Sequence, residues 1–204
     1  MPKKILRSKK SGKNIQMRII AGALKGRIIH IPSDFTGRPT RDMVREALFD
    51  ILFDKVLGSR FLDLFCGSGA TGIEAVSRGA LKATLVDSNF VAIKIAKTLT
   101  EEFKIVNKIE LIRQDVRKFI SSASESGEIF DIVFCDPPYD TEPVYLAEIL
   151  CSLSNCIEKN GVLIIEHRDN VSFPDEFVGL FKEKERRYGA TKLSFFKSHI
   201  SGDV

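Results

Sequence analysis

From Arg60 onward the chain alternates short, almost wholly apolar runs with helix-compatible segments, and few folds accept that pattern. The apolar runs lie at 61–66, 83–86, 109–112, 129–135 and 161–165. The segments 70–79, 89–103, 116–122 and 142–158 read as helices, the first closing at Gly79 and the third running into a Ser-rich loop at 121–127. A strand that is apolar at nearly every position must be covered on both faces. Such strands, joined through helices, predict an α/β domain with a largely parallel sheet. The C-terminal part differs. Lys182–Tyr188 and Thr191–Phe196 flank Gly189-Ala190, a link short enough for an antiparallel hairpin.

Ahead of this domain the pattern is of another kind. Residues 1–14 are charged and poor in apolar residues, which predicts a flexible tail ending near residue 16. Met17–Ala21 and Arg27–Ile31, with Gly22 and Gly26 bracketing their link, read as a hairpin. Pro32–Gly37 reads as a loop. Thr40, after Pro39, suits a helix N-cap with Asp42 in the first turn, and Val44, Ala47, Leu48, Ile51 and Leu52 give 41–54 an amphipathic helical pattern. The expected division is a basic tail (1–16), a hairpin-and-helix extension (17–55) and a main domain (56–204).

Charge follows that division. The net charge is +4, but residues 1–45 hold twelve Lys or Arg and two acids, about +10, whereas the rest holds nineteen bases and twenty-five acids, about −6. A basic end on an acidic domain predicts a polyanionic partner, and nucleic acid fits. No apolar run reaches membrane-spanning length, and no apolar segment follows the basic start as in an export signal, so a cytoplasmic protein is expected. Cys66, Cys135, Cys151 and Cys156 form no C-x-x-C pair, which predicts buried free thiols. His30, His167 and His199 show no ligand spacing with them, so no metal is expected.

The first apolar run ends in a glycine loop. Gly67, Gly69 and Gly72 spell G-x-G-x-x-G, and Asp87 follows about 20 residues on, after the second strand. Glycines let a backbone approach a ligand, and a carboxylate there can grip ribose hydroxyls. The same letters serve dinucleotides, but the acids favour another cofactor. Asp63 lies within the first strand, four residues before Gly67, and Asp87, Asp115 and Asp136 follow the next three strands. An acidic rim at the carboxyl edge suits the ammonium and sulfonium of S-adenosylmethionine (AdoMet) better than a diphosphate. Each acid alone also fits a helix N-cap.

Asp136-Pro137-Pro138-Tyr139 completes the pattern, directly after the strand 129–135. Two prolines remove backbone donors, so this loop offers carbonyls. With the Asp136 carboxylate they can accept both hydrogens of an –NH2 group, and Tyr139 supplies a flat face for a base. A plain Pro-Pro turn ending in a surface tyrosine is the alternative.

In these stretches the chain resembles the RsmD-like family of bacterial small-subunit ribosomal RNA guanine-N2 methyltransferases. The similarity runs from residue 17 to about 196 and is carried by Arg18-Ile19-Ile20-Ala21-Gly22 with Gly26-Arg27, by Arg38-Pro39-Thr40 through Phe49, by Asp63-Leu64-Phe65 through Gly72 with Glu74-Ala75 and Ser77-Arg78-Gly79, and by Asp136–Tyr139. The resemblance implies a class I AdoMet-dependent methyltransferase fold, a seven-stranded sheet whose last two strands form the antiparallel hairpin. It implies that Asp63, Gly67, Ser68 and Gly69 hold the methionine end, Asp87 the ribose, and Asp115 with Val116 the adenine. Phe65, Cys66 and Ser88 would join the cofactor site, Arg38 and Thr40 would pack beside it, and the basic hairpin would contact RNA. Asp136, Pro137, Pro138 and Tyr139 would present the guanine amine. The partner implied is small-subunit rRNA or an assembling subunit, met by a monomer. Asp87 stands where such enzymes often carry Glu, and Thr98 where they often carry Asn. Adenine-N6 or protein-glutamine methylation, an NAD-linked oxidoreductase and a non-catalytic RNA-binding protein are the competing readings.

Overall fold

The computed structural model describes residues 15–32, 35 and 42–198, and each apolar run of the main domain forms a strand there. In chain order the elements are β1 (Ile15–Arg18), β2 (Ile28–Ile31), α1 (Asp42–Leu52), β3 (Arg60–Leu64), α2 (Ala70–Ser77), β4 (Lys82–Asp87), α3 (Phe90–Glu102) and β5 (Ile109–Arg113). They continue with α4 (Val116–Ser126), β6 (Phe130–Cys135), α5 (Pro143–Leu153), β7 (Ile157–Arg168), β8 (Glu176–Phe177), β9 (Leu180–Tyr188) and β10 (Thr191–Ser198). The main sheet runs β5-β4-β3-β6-β7-β10-β9-β8. Its first five strands are parallel, and β10 is antiparallel to both β7 and β9. The hairpin turns at Gly189-Ala190, where Thr191 pairs Tyr188 and Gly189 takes a positive φ.

Three expectations need correction. The sheet has eight strands among the described residues, not seven, because two-residue β8 pairs Glu176 with Phe181 at the edge. A strand that short leaves no periodicity to read. The Ser-rich stretch after residue 120 is helix, not loop. Burial of Ile120 and Ala123 overrides the weak helix preference of serine, and Gly127 ends α4 in the left-handed conformation. Finally, α5 stops at Leu153, and β7 starts at Ile157 rather than near Gly161. Its pairing slips from Phe130↔Ile157 to Ile132↔Val162, and the irregularity absorbs polar residues 158–160.

Both sheet faces are covered. Ile132 and Phe134 of β6 and Val162 and Ile164 of β7 point into the core beneath α1, α2, α3 and the β1–β2 hairpin. The alternate residues Val133, Cys135, Leu163 and Ile165 face α4, α5 and Phe173. Cys66, Cys135 and Cys156 are buried free thiols as expected, but Cys151 is exposed on α5. No described helix is long and apolar enough to cross a membrane.

The hairpin is stitched to the helix that follows the glycine loop. The Glu74 carboxylate on α2 accepts the Ile20 N–H at 2.8 Å and the Ala21 N–H at 3.0 Å. It also accepts Arg78 Nε at 2.8 Å and pairs with Arg45 of α1 at 3.7 Å, both carboxylate and Arg45 guanidinium being wholly buried. Gly22, with φ +82°, passes so close that a Cβ would lie 1.8 Å from the Ser77 carbonyl oxygen. Only glycine fits there.

Candidate active site

The carboxyl ends of β3, β4, β5 and β6 bring the glycine loop and the acids together. Asp63 is buried in β3, and its Oδ2 accepts the Gly72 N–H at 2.9 Å. Burial first, and then the charges of Asp136 and Asp87, push its pKa up from 3.8 to about 8 against the Gly72 hydrogen bond. Asp87 ties the loop from the next strand. Its Oδ2 accepts the Gly67 N–H at 2.9 Å, and its Oδ1 accepts the Asn89 N–H at 2.8 Å. Each oxygen keeps a second lone pair for a ligand hydroxyl.

The loop is tightly built. Phe65 adopts φ +60°, a conformation that costs a non-glycine residue roughly 1–3 kcal/mol. Its ring packs against the α4–α5 core, which holds it there. The Cys66 N–H donates to the Val86 carbonyl at 3.1 Å, and the Gly69 N–H returns to Cys66 O at 2.8 Å. Burial and the neighbouring acids raise the Cys66 thiol well above its ordinary pKa, so it stays a thiol. Ser68 is buried, Gly69 takes φ +77°, and α2 starts directly after it.

Asp115 and Val116 open α4. The Asp115 carboxylate accepts the Lys118 N–H at 3.2 Å and the Tyr145 hydroxyl at 3.0 Å. Val116 is buried beside it, whereas Ser88 is exposed. Arg38 and Thr40 lie outside the described residues.

At the end of β6 the Asp136 N–H still reaches Leu64 O at 3.4 Å, so the Asp-Pro-Pro-Tyr loop starts level with the glycine loop. Pro137 is buried and Pro138 exposed. Tyr139 is half-buried, its hydroxyl is 3.4 Å from Thr191 Oγ1, and the Arg168 guanidinium lies 4.4 Å over its ring. One tyrosine face therefore already carries a cation, which sequence reasoning did not anticipate. A cavity of about 390 Å³ opens beside Pro137, Pro138 and Tyr139, walled by Leu146, Leu150, Phe173 and the end of β7. The apolar lining with a few polar groups is typical of a ligand pocket.

Several of these residues escaped the sequence reading. Tyr145 gave no signal, because only the fold carries α5 across to Asp115. Glu166 and Arg168 could have been found, since they end the fifth parallel strand just as the four acids end the others. Among the described residues no group of three or more His, Cys, Asp or Glu is placed to hold a metal. The site does fit AdoMet. A carboxyl whose pKa is raised by burial, and further by like charges, gains from a nearby ammonium, and the loop around it is held by backbone hydrogen bonds to Asp63 and Asp87.

Comparison with known proteins agrees. A family model described as "Conserved hypothetical protein 95" matches residues 17–197. The putative rRNA methyltransferase YlbH of Bacillus subtilis is 32% identical over 181 residues, covering 89% of this chain and 98% of that one. Ribosomal RNA small subunit methyltransferase D of Buchnera aphidicola is 34% identical over 174 residues, covering 84% and 89%. The solved structure of the putative methyltransferase yhhF from Escherichia coli superposes with a TM-score of 0.75 at 26% identity, covering 90% of this chain and 99% of that one. Matched almost end to end in sequence and in structure, the chain belongs to the conserved hypothetical protein 95 family, the RsmD family.

Proposed function

We propose that this protein transfers a methyl group from AdoMet to the exocyclic N2 amine of a guanine in small-subunit ribosomal RNA. One observation carries the reading: Asp136 and its two prolines follow β6 directly beside the Asp63–Gly67 loop, the Asp136 N–H donating to the Leu64 carbonyl at 3.4 Å. The relatives named as rRNA methyltransferases support it.

In this reading Asp63, Phe65, Cys66, Gly67, Ser68 and Gly69 hold the methionine end of the cofactor. Asp87 and Ser88 hold the ribose, Asp115 and Val116 the adenine, and Arg38 and Thr40 lie alongside. The cofactor supplies an electrophilic methyl on a sulfonium. The guanine amine is a weak nucleophile because its lone pair is delocalised into the ring. Asp136 and the Pro137 carbonyl would accept its two hydrogens, orient the nitrogen for attack, and stabilise the positive charge that grows on it. The proton that the nitrogen sheds on gaining the methyl would pass to the Asp136 carboxylate and on to solvent, and S-adenosylhomocysteine would leave as a neutral thioether. Tyr139 and Pro138 receive the extruded base. The 17–55 extension and the basic tail contact RNA, and the enzyme works as a cytoplasmic monomer.

Asp136→Ala tests the assignment. With undermethylated small subunits and AdoMet, the variant should lose more than about 100-fold in N2-methylguanosine formation, the scale for losing one stabilising group. Its AdoMet affinity should stay within a few-fold of the wild type. Equal loss of binding and turnover would place Asp136 in the cofactor site instead.

A further inference from the structure

Asp136 and the Pro137 carbonyl grip an amine, but the amine of guanine and that of adenine would satisfy them equally. Selection needs another group. Glu166 stands where such a group would act. The last register pair between β6 and β7 is Cys135↔Ile165, so Asp136 and Glu166 are the next residues on adjacent strands. They fall on one face of the sheet. Ile132 and Phe134 precede Asp136 at alternate positions, and Val162 and Ile164 precede Glu166, all four in the core beneath α1–α3. Leu193, the cross-strand partner of Glu166 on β10, faces that same core. Strand spacing sets the two backbones about 4.8 Å apart. Glu166 is 4% exposed, yet it contributes to the wall of the cavity that Pro137, Pro138, Tyr139 and Arg168 line.

Base chemistry supplies the rest. Next to its N2 amine, guanine carries N1–H, a second donor on the same edge. Next to its N6 amine, adenine carries N1 as a bare acceptor. A carboxylate committed to the amine, as Asp136 is in this reading, does not separate the two bases, whereas a second carboxylate on the adjacent strand can. The second accepts from guanine N1–H but would meet the adenine N1 lone pair with like charge.

Resting on the function proposed above, we infer that Glu166 is the specificity-determining residue, its carboxylate accepting guanine N1–H while Asp136 holds the neighbouring amine. Adenine is rejected through the unfavourable acceptor–carboxylate contact, and a guanine methylated at N1 is rejected because it lacks the proton.

Glu166→Gln and Glu166→Ala test this in the full-length protein. Three quantities are measured: N2-methylguanosine formed on undermethylated small subunits, AdoMet affinity by calorimetry, and competition by guanosine against 1-methylguanosine in the presence of S-adenosylhomocysteine. Glu166→Ala should lower kcat/KM by about 10- to 100-fold, the range for losing a hydrogen bond to a charged group. Glu166→Gln, which keeps a neutral acceptor, should lie between Ala and wild type. AdoMet affinity should stay within about twofold, and the wild-type preference for guanosine over 1-methylguanosine should collapse in Glu166→Ala. Wild-type methylation by both variants, or an unchanged nucleoside preference, overturns the inference and leaves the proposed function standing. Loss of AdoMet binding in both variants overturns it too, by making Glu166 a cofactor or framework residue. Methyladenosine as the wild-type product would overturn both readings.

Discussion

Asparagine in place of Asp63 should raise the heat stability of the ligand-free protein at pH 8 while disabling its hold on AdoMet. Burial and the charges of Asp136 and Asp87 lift the folded-state pKa of Asp63 from 3.8 to about 8. Between those values the folded protein binds a proton that the unfolded chain does not. Stability from this group is therefore fully present below pH 4 and is lost as pH rises towards 8. At about 1.4 kcal/mol per pH unit the loss has a ceiling of about 6 kcal/mol. Local relaxation brings a realistic figure nearer 2 kcal/mol. For a chain of this length that corresponds to roughly 4–8 °C in Tm. Asparagine stays neutral at every pH and keeps an oxygen for the Gly72 N–H. The assay is a Tm series from pH 4.5 to 8.5 on ligand-free wild type and Asp63→Asn, with AdoMet affinity measured alongside. The gap between the two curves should widen steadily with pH as the wild type falls behind, and the variant should bind AdoMet at least about 10-fold more weakly, as expected when an ammonium loses a charged partner. Curves separated by the same gap at every pH would refute proton uptake by Asp63.

Two further outcomes probe other parts of the molecule. Gly69→Ala forces a side chain onto φ +77° and sets its Cβ 2.8 Å from Leu85 Cδ2 and 3.0 Å from Ala96 Cβ, so denaturant unfolding should show a loss of about 2–4 kcal/mol. A change under 1 kcal/mol would show that the loop yields more easily than its packing implies. Removal of residues 1–14, which lie outside the described residues, should flatten the salt dependence of RNA binding without altering AdoMet affinity. An unchanged slope would make that segment a bystander.

The fold was legible wherever periodicity ran long enough. Runs such as Phe61–Cys66 and Ile129–Cys135 are apolar at nearly every position because helices cover both sides. It was illegible where tertiary packing overrules local preference. Ser121–Ser126 joins a helix because Ile120 and Ala123 need burial, and Glu158–Asn160 enters a strand through an irregular register. For the site, Asp63, Asp87, Asp115 and Asp136 could be read from strand ends and the glycine spacing. Residues that matter through a distant partner could not. Tyr145 reaches Asp115 only after α5 has packed beside α4, and Arg168 covers Tyr139 only once β7 lies next to β6. Phe65 looks like an ordinary strand residue until its left-handed backbone is seen.

Glu74 serves two neighbours with one carboxylate, the hairpin backbone on one side and the helix after the glycine loop on the other. Gly22 lies against Ser77 as well, and the Ala23 N–H donates to the Ser77 carbonyl at 2.7 Å. A pull on the hairpin would therefore be felt as a tilt of α2 and of the loop ahead of it. If the hairpin docks on RNA as proposed, that docking and the seating of AdoMet are linked, and each ligand should change the affinity for the other by the same factor, whichever arrives first.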